Sequence, residues 1–357
     1  MDRYAVHLEK DVPLASHTTM QVGGRARYFV EARDEGMLRD ALAAAQDRDA
    51  RVLVLGGGSN VLVADDGVDA LVVKIALRGV TISQEAGAVT VTAAAGEHWD
   101  DLVRHAVERG WAGLECLSGI PGLVGATPIQ NVGAYGQEVA DTIVSVRTVD
   151  TRTGEIVTLA TEECAFRYRD SLFKTDEPGR HVVLAVTYRL TPGGKPAVRY
   201  AEVERFLAGR GIAEPSLADV RDAVLAIRRS KSMVIEAGDP NRRSCGSFFV
   251  NPIVAGADAA RIAAATGEST MPRWPERDGR VKLSAAWLIE RAGFVRGHRQ
   301  GPVGLSTRHA LAIVAHDGAS ARDVAAFARR VQQTVERSFG IRLTPEPVFW
   351  GFDPDRA

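Results

Sequence analysis

Cysteine is scarce in this chain: among 357 residues there are only Cys116, Cys164 and Cys245. They are isolated and odd in number, with no C-x-x-C pair, which argues against a disulfide framework or a zinc cluster. A reducing cytoplasm is the expected compartment. Long apolar runs are also missing. Stretches such as Arg51 to Leu55 are far too short to span a bilayer, so no membrane insertion is expected. Met1 to Lys10 is mixed and charged, without the apolar stretch of a secretory signal. Neither charge dominates. Forty-four Lys and Arg against 45 Asp and Glu leave a formal net charge of −1, so a nucleic-acid footprint is not expected. The 8 histidines show no H-x-x-x-H pair, and His298, His309 and His316 read as structural or exposed, so no metal is expected. There is no internal repeat and no low-complexity tract.

What is present is a mixed α and β pattern, long enough for two or three domains. Apolar residues make up 45%, which suffices for ordinary cores. Arg27 to Ala32 and Arg51 to Leu55 read as strands, with a helix marked by Leu38, Leu42 and Ala45 between them. Leu71 to Ile75, Ala88 to Ala95, Ile143 to Val149 and His181 to Leu190 are further strands. Trp99, Leu102, Val103, Ala106 and Val107 mark a helix face that Gly110 ends. Thr191 to Pro196 has loop composition. Ser216 and Asp219 form a capping box for a helix through Val220, Val224 and Ile227. Ser247 to Val250 reads as a strand. Leu283, Ala286, Trp287 and Glu290 suggest a short helix ended by Gly293. Ser320 opens a longer helix through Val324, Phe327, Val331 and Val335, closed by Gly340.

Two glycine-rich segments stand out. Gly56-Gly57-Gly58-Ser59-Asn60 follows an apolar strand directly. Successive N–H groups in such a turn can form a nest for phosphate oxygens, and Ser59 and Asn60 add side-chain donors. It is neither a G-x-G-x-x-G fingerprint nor a phosphate-binding loop of the G-x-x-x-x-G-K-[ST] type. Taken alone, the triplet reads equally well as a tight turn. The second segment, Ser118 to Gly136, is long, apolar and poor in charge, unlike an ordinary surface loop. Its backbone needs hydrogen-bond partners, which a ligand can supply; a buried structural loop is the competing reading. Together the two favour a large phosphate-containing cofactor.

Three polar constellations lie further on. Tyr168 to Lys174 sets Arg169 among aromatics, Ser247 follows Gly246 at the head of a strand, and Glu346 sits between Pro345 and Pro347, which stiffen the backbone. Singly, Arg169 reads as a surface arginine and Glu346 as a turn carboxylate. No G-x-S-x-G elbow surrounds Ser247, so hydrolase chemistry is unsupported.

In sum the segments GGGSNVL (56–62), SGIPGLVGATPIQNVGAYGQE (118–138), YRDSLFK (168–174), GSFFVNP (246–252) and PEPVFW (345–350) resemble those of the UDP-N-acetylenolpyruvoylglucosamine reductase family, in order from Thr18 to Trp350. The resemblance implies an α+β fold with a two-part FAD-binding region of the vanillyl-alcohol-oxidase/p-cresol-methylhydroxylase type and a C-terminal α/β substrate domain. The implied spans are 1–76, joined by 341–357, then 77–222, then 223–340. It implies reduction of the enolpyruvyl ether of UDP-N-acetylglucosamine to UDP-N-acetylmuramate, with NADPH as electron donor and non-covalent FAD as carrier. Arg169 and Glu346 then stabilise the enolate that develops on the substrate carboxylate, and Ser247 protonates the α-carbon. To donate, Glu346 has to carry a proton. By the same resemblance, the backbone of Gly56, Gly57, Gly58, Ser59, Asn60, Val61 and Leu62 is expected to line the cofactor. So is the segment holding Thr127, Pro128, Ile129, Gln130, Gly133 and Tyr135, with Arg228 near the flavin. Lys231 and Asn251 match the family positions that hold the diphosphate, with Lys282 expected close by. Tyr200 matches the tyrosine that closes over the nucleotide in the longer subclass. A monomer is expected, with weak self-association as the alternative. One departure is the stretch from Lys231 to Cys245, longer than in compact relatives, which bears on the diphosphate contacts. An FAD-dependent alcohol or hydroxy-acid oxidoreductase is the alternative enzyme, opposed by GSFFVNP and PEPVFW. A non-catalytic UDP-sugar-binding protein is opposed by the set Arg169, Ser247 and Glu346.

Overall fold

Val52–Leu55 has no polar alternation, and such strands end up covered and paired in parallel. In the structure, a computed structural model describing residues 6–267, 271–276 and 278–353, this strand runs parallel to Val68–Ile75, with Val52 opposite Leu71. The sheet order is Glu9–Pro13, Arg25–Ala32, Val68–Ile75, Val52–Leu55, which leaves the last strand at the edge with Val54 exposed, not covered on both faces as its unbroken apolar run predicts. Helix Glu35–Gln46 links two of these strands; its N-cap Asp34 accepts from the Met37 N–H, and it buries Leu38, Ala41, Leu42, Ala44 and Ala45.

The chain divides into two compact units. The first holds the segment ending at Val12, Ala26–Gly58 and Asp69–Val234. Besides the parallel pair it contains an antiparallel sheet in the order Ile156–Ala160, Ile143–Asp150, His181–Pro192, Ala88–Ala94, Val80–Glu85. Trp99 and Tyr188, both essentially fully buried, sit in its core with ring centroids 5.8 Å apart. Helices Ala201–Gly209 and Leu217–Ser230 bury a smaller cluster of Val203, Leu207, Val220, Ala223, Val224 and Ile227. The expected start of a substrate domain at residue 223 falls inside the second of these helices, which is continuous.

The second unit comprises Pro13–Arg25, Ser59–Val68 and the chain from Ile235 onward. Its longest element is helix Ala321–Phe339, opened by the Ser320/Asp323 capping box and closed by Gly340 in the left-handed conformation (φ 70°). Val324, Phe327, Val331 and Val335 are buried along one face, each contributing about 1.5–3 kcal/mol of burial. Val61–Val63 runs parallel to Val348–Trp350. The remaining strands are short and form two three-stranded sheets.

The expected strand Ser247–Val250 is corrected. Phe249 forms an isolated bridge to Pro345, while the Phe248 N–H goes elsewhere, to the Leu311 carbonyl. With that donor spent, two bonds, from Glu346 N–H to Phe248 and from Val250 N–H to Thr344, join the stretch to its partner, too few for a strand. No helix among the described residues is long and apolar enough to cross a membrane. Residues 1–5 and 354–357 of the expected first span and its C-terminal addition lie outside the described residues, as do 268–270 and 277 of the expected third.

Candidate active site

In the first unit the two glycine-rich segments meet. A Cβ added at Gly57 would lie 3.0 Å from Gly122 Cα, and one at Gly56 would lie 3.7 Å from the Ala126 Cβ. A side chain at 57 would therefore push the backbones apart. The second segment is less needy than the sequence suggested. Its N–H groups at Val124 and Gly125 already donate to Glu97 and Ala95, and the Gly122 carbonyl accepts from Trp99. Backbone satisfaction thus comes largely from the neighbouring strand and helix start. Thr127 is buried, and its hydroxyl bonds to the Val124 carbonyl and, at 2.8 Å, to the Tyr188 hydroxyl. The Ile129 carbonyl accepts from Ser171 Oγ at 2.6 Å. Pro128 is buried and Gln130 half-buried.

Several residues singled out in the sequence converge in this unit. Tyr135, left-handed at φ 50°, packs edge-on against Tyr200 with centroids 5.5 Å apart. Burial pushes the Tyr135 hydroxyl up to about 12. Arg228 donates from Nη2 to the Met233 carbonyl at 2.7 Å, but its Nε is shut off from solvent without a hydrogen-bond partner. Burial holds this guanidinium below its usual range, opposed by Tyr135 and Asp100. Such an orphaned donor beside Gly119 fits an electron-rich group of a bound ligand. With the close glycine backbones it fits FAD, and Arg228 and the Gly56–Gly58 backbone are the groups that would hold it. Lys231 ends the helix Leu217–Ser230 and pairs with Glu202 at 2.6 Å. Tyr200 is half-buried at the N-cap of helix Ala201–Gly209. The segment before it is tied at Gly193, which donates to the Gly110 carbonyl, and at Ala197, which donates to Glu115.

Arg169 also belongs to the first unit. Its backbone is left-handed (φ 54°), and its Nη2 donates to the Gly133 carbonyl at 2.6 Å. The guanidinium carbon stands 5.3 Å from the Tyr168 ring centroid. Two carboxylates of this unit were not foreseen from the sequence. Glu115, 1% exposed, accepts from Gly113 N, Gln137 Nε2 and Ala197 N. Asp100 takes both Arg221 Nη atoms, at 2.7 and 2.9 Å, and the Gly119 N–H at 2.6 Å.

The second unit brings Ser247 and Glu346 together. The Glu346 N–H donates to the Phe248 carbonyl at 2.9 Å, and Val250 N–H donates to Thr344. Ser247 is half-buried, and its hydroxyl makes no hydrogen bond to another described residue. Asn60 Nδ2 donates to the Glu346 carbonyl at 3.2 Å, and Val348 N–H returns to the Asn60 carbonyl. The tail of the glycine loop is thus stitched to the Glu346 segment. Ser59 is half-buried, whereas Val61 and Leu62 are buried, so only their backbone is available. Cys245, more than 180 positions away in sequence, places its Sγ 3.7 Å from the Val61 carbonyl. Burial pushes this thiol up to about 12, so at neutral pH it is protonated and a poor nucleophile. Asn251 Oδ1 accepts from Ala285 N–H at the start of helix Ala285–Arg291. Lys282 lies on the neighbouring strand, opposite Ile253, and pairs with Glu276 at 3.0 Å.

Comparison with known proteins bears directly on this arrangement. Residues 239–350 match a family profile described as the C-terminal domain of UDP-N-acetylenolpyruvoylglucosamine reductase, and residues 26–160 match an FAD binding domain. The UDP-N-acetylenolpyruvoylglucosamine reductase of Saccharopolyspora erythraea is 48% identical over 345 residues, spanning 94% of this chain and 93% of the relative. That of Thermobifida fusca is 46% identical over 96% of this chain and 98% of its own length. The crystal structure of the Thermus caldophilus reductase superposes with a TM-score of 0.66 at 26% identity, covering 96% of this chain and 99% of that one. The FAD-binding α+β fold expected from the sequence is the fold these matches give.

Proposed function

The chain belongs to the UDP-N-acetylenolpyruvoylglucosamine reductase family of flavin-dependent oxidoreductases, and on that premise we propose that it reduces the enolpyruvyl ether of UDP-N-acetylglucosamine to the lactyl ether, forming UDP-N-acetylmuramate for peptidoglycan precursors. When bound, FAD would supply two-electron redox chemistry, linking oxidation of NADPH to reduction of the substrate's double bond. The chain's own groups hold the reactants and manage charge and protons. Backbone from Gly56 to Leu62 and from Thr127 to Tyr135, with Arg228, holds the cofactor non-covalently. As the double bond is reduced, negative charge gathers on the substrate carboxylate. The Arg169 guanidinium and a protonated Glu346 stabilise it there, an effect that is large in a site closed to water. Ser247 delivers the proton to the α-carbon.

The observation that carries this reading is the bond from the Glu346 N–H to the Phe248 carbonyl. It ties the backbone of Glu346 to the stretch that carries Ser247, whose hydroxyl is not engaged by another described residue. Lys231 and Asn251 bind the diphosphate, with Lys282 alongside, and Tyr200 covers the nucleotide as in the longer subclass. Lys231 must exchange Glu202 for phosphate oxygens as it does so. The spans 1–76 with 341–357, 77–222 and 223–340 are the two FAD-binding parts and the substrate domain in this reading, and the enzyme works as a cytoplasmic monomer.

The test is anaerobic. NADPH should bleach the yellow protein, and the enolpyruvyl sugar nucleotide alone should restore the colour, with UDP-N-acetylmuramate appearing in equal amount. Colour restored by dioxygen but not by this substrate would defeat the proposal.

A further inference from the structure

Arg169 stands where the fold would ordinarily ask for glycine. Arg167 and Asp170 exchange backbone hydrogen bonds of 3.0 and 3.2 Å, leaving Tyr168 and Arg169 as the two central residues of a reverse turn. Only Arg169 of that pair has positive φ, 54°, and the second central position of such a turn is normally glycine. A bulky side chain kept there is strained, and strain of this kind persists only where the surroundings over-determine it.

The surroundings do so from one side through Asp170. Its carboxylate accepts from the Ser171 N–H at 2.8 Å, Thr175 Oγ1 at 2.6 Å and Arg167 Nε at 2.9 Å. From the other side comes Lys174. It lies on the wide single turn Leu172–Asp176, a helical geometry that recurs at functional sites, and its Nζ donates to the Arg169 carbonyl at 2.8 Å. An ammonium donating to a neutral carbonyl makes one of the stronger classes of hydrogen bond. This one grips the peptide whose twist aims the guanidinium at the Gly133 carbonyl.

We infer that Lys174 is a positioning residue for the reduction, fixing the Arg169 peptide and through it the guanidinium. The inference rests on the reading of Arg169 as the cation that stabilises the substrate carboxylate. Lys174 itself contacts neither reactant in this account. A misplacement of about 1 Å in such a group can cost about 10²-fold in rate.

Stopped-flow measurement of the two half-reactions in the FAD-loaded enzyme tests it. Lys174→Met should be reduced by NADPH at the parent rate. Its reoxidation by saturating enolpyruvyl substrate should slow about 10–100-fold, with substrate affinity little changed. Lys174→Arg, which can still donate to a carbonyl, should recover most of the loss. Parent-rate reoxidation in Lys174→Met, equal slowing of both half-reactions, or no recovery with Arg would overturn the inference. Arg169→Ala, measured alongside, separates the two levels. Should it reoxidise at the parent rate, the role of Arg169 fails and the inference with it. Should it be slow while Lys174→Met is fast, only the inference fails. If Lys174→Met does not retain flavin, Lys174→Gln carries the same measurement, and loss of flavin in both would show Lys174 to be structural, overturning the inference.

Discussion

Ser247 is one residue from Phe248, whose ring is fully buried and whose carbonyl holds Glu346. Its backbone is therefore rigidly placed, which is what a proton donor to carbon requires. Ser247→Ala should leave reduction of the flavin by NADPH nearly intact. It should slow the reoxidation half-reaction by about 10²–10⁴-fold, the range for loss of a positioned acid. Ser247→Cys should regain part of this, since a thiol also donates. If Ser247 only orients substrate, KM rises and turnover at saturation barely changes. Rapid-mixing measurement of reoxidation decides it. Arg169, Ser247 and Glu346 could be singled out as candidates because each lies inside a short, distinctive motif. Lys174 lies in the same motif as Arg169 but was not singled out, because its target, a backbone carbonyl, leaves no mark in a sequence. Glu115 was invisible altogether: two of its three donors come from Gln137 and Ala197, 22 and 82 positions away.

Among the elements, the caps were easily read. Ser216 with Asp219 forms the predicted box, Ser320 caps its helix as expected and adds a box with Asp323, and Gly340 ends that helix in the conformation glycine favours. Helix Ala201–Gly209 escaped because it is short and follows a proline- and glycine-rich stretch, so its Val203 and Leu207 spacing was lost in loop composition. How helices are tied to the glycine-rich segment could not be read either. Asp100, near the start of helix Trp99–Glu108, clasps Arg221 of helix Leu217–Ser230 across 121 positions and also caps the Gly119 N–H. Burial alone would raise this carboxyl, but the hydrogen bonds from Arg221 and Gly119 outweigh it and hold it below the ordinary value. A depressed folded-state value means stability that is present above the unfolded value, about pH 4, and lost as the pH falls through the lowered one. Discounted for its partial exposure, the clasp contributes about 1 kcal/mol. Asp100→Asn should therefore melt lower than the parent at pH 7, and the gap should close as the pH is taken below about 4. A gap that stays constant through acid would show that the carboxylate charge is not what matters.

At the scale of the whole molecule, the second unit is not a contiguous stretch of chain. Met20, Val22 and Leu62, contributed by its two N-terminal segments, are buried in the same cluster as Phe248, Leu288 and Val331. Val61–Val63 supplies the partner of Val348–Trp350. A fragment beginning at Ile235 lacks all of these. It should show no cooperative thermal transition by circular dichroism, and its amide spectrum should be poorly dispersed. A sharp transition in the fragment alone would show that the N-terminal segments are dispensable for folding. Chain length suggested two or three domains, but not that one compact unit is assembled from three separate runs of sequence. The short strands that join those runs carry too little periodicity to announce their partners.

The stitch between Asn60 and Glu346 joins positions 286 apart in the chain. During translation Val61, Leu62 and Val63, all buried in the finished protein, emerge long before the strand that will cover them. At about 5–20 residues per second, that delay is roughly 15–60 s. For that interval the ribosome-bound polypeptide displays an apolar strand with an open edge, the kind of surface that invites aggregation or capture by a chaperone. A message truncated anywhere upstream of the codon for Glu346 would yield a polypeptide that keeps this edge open for its whole lifetime.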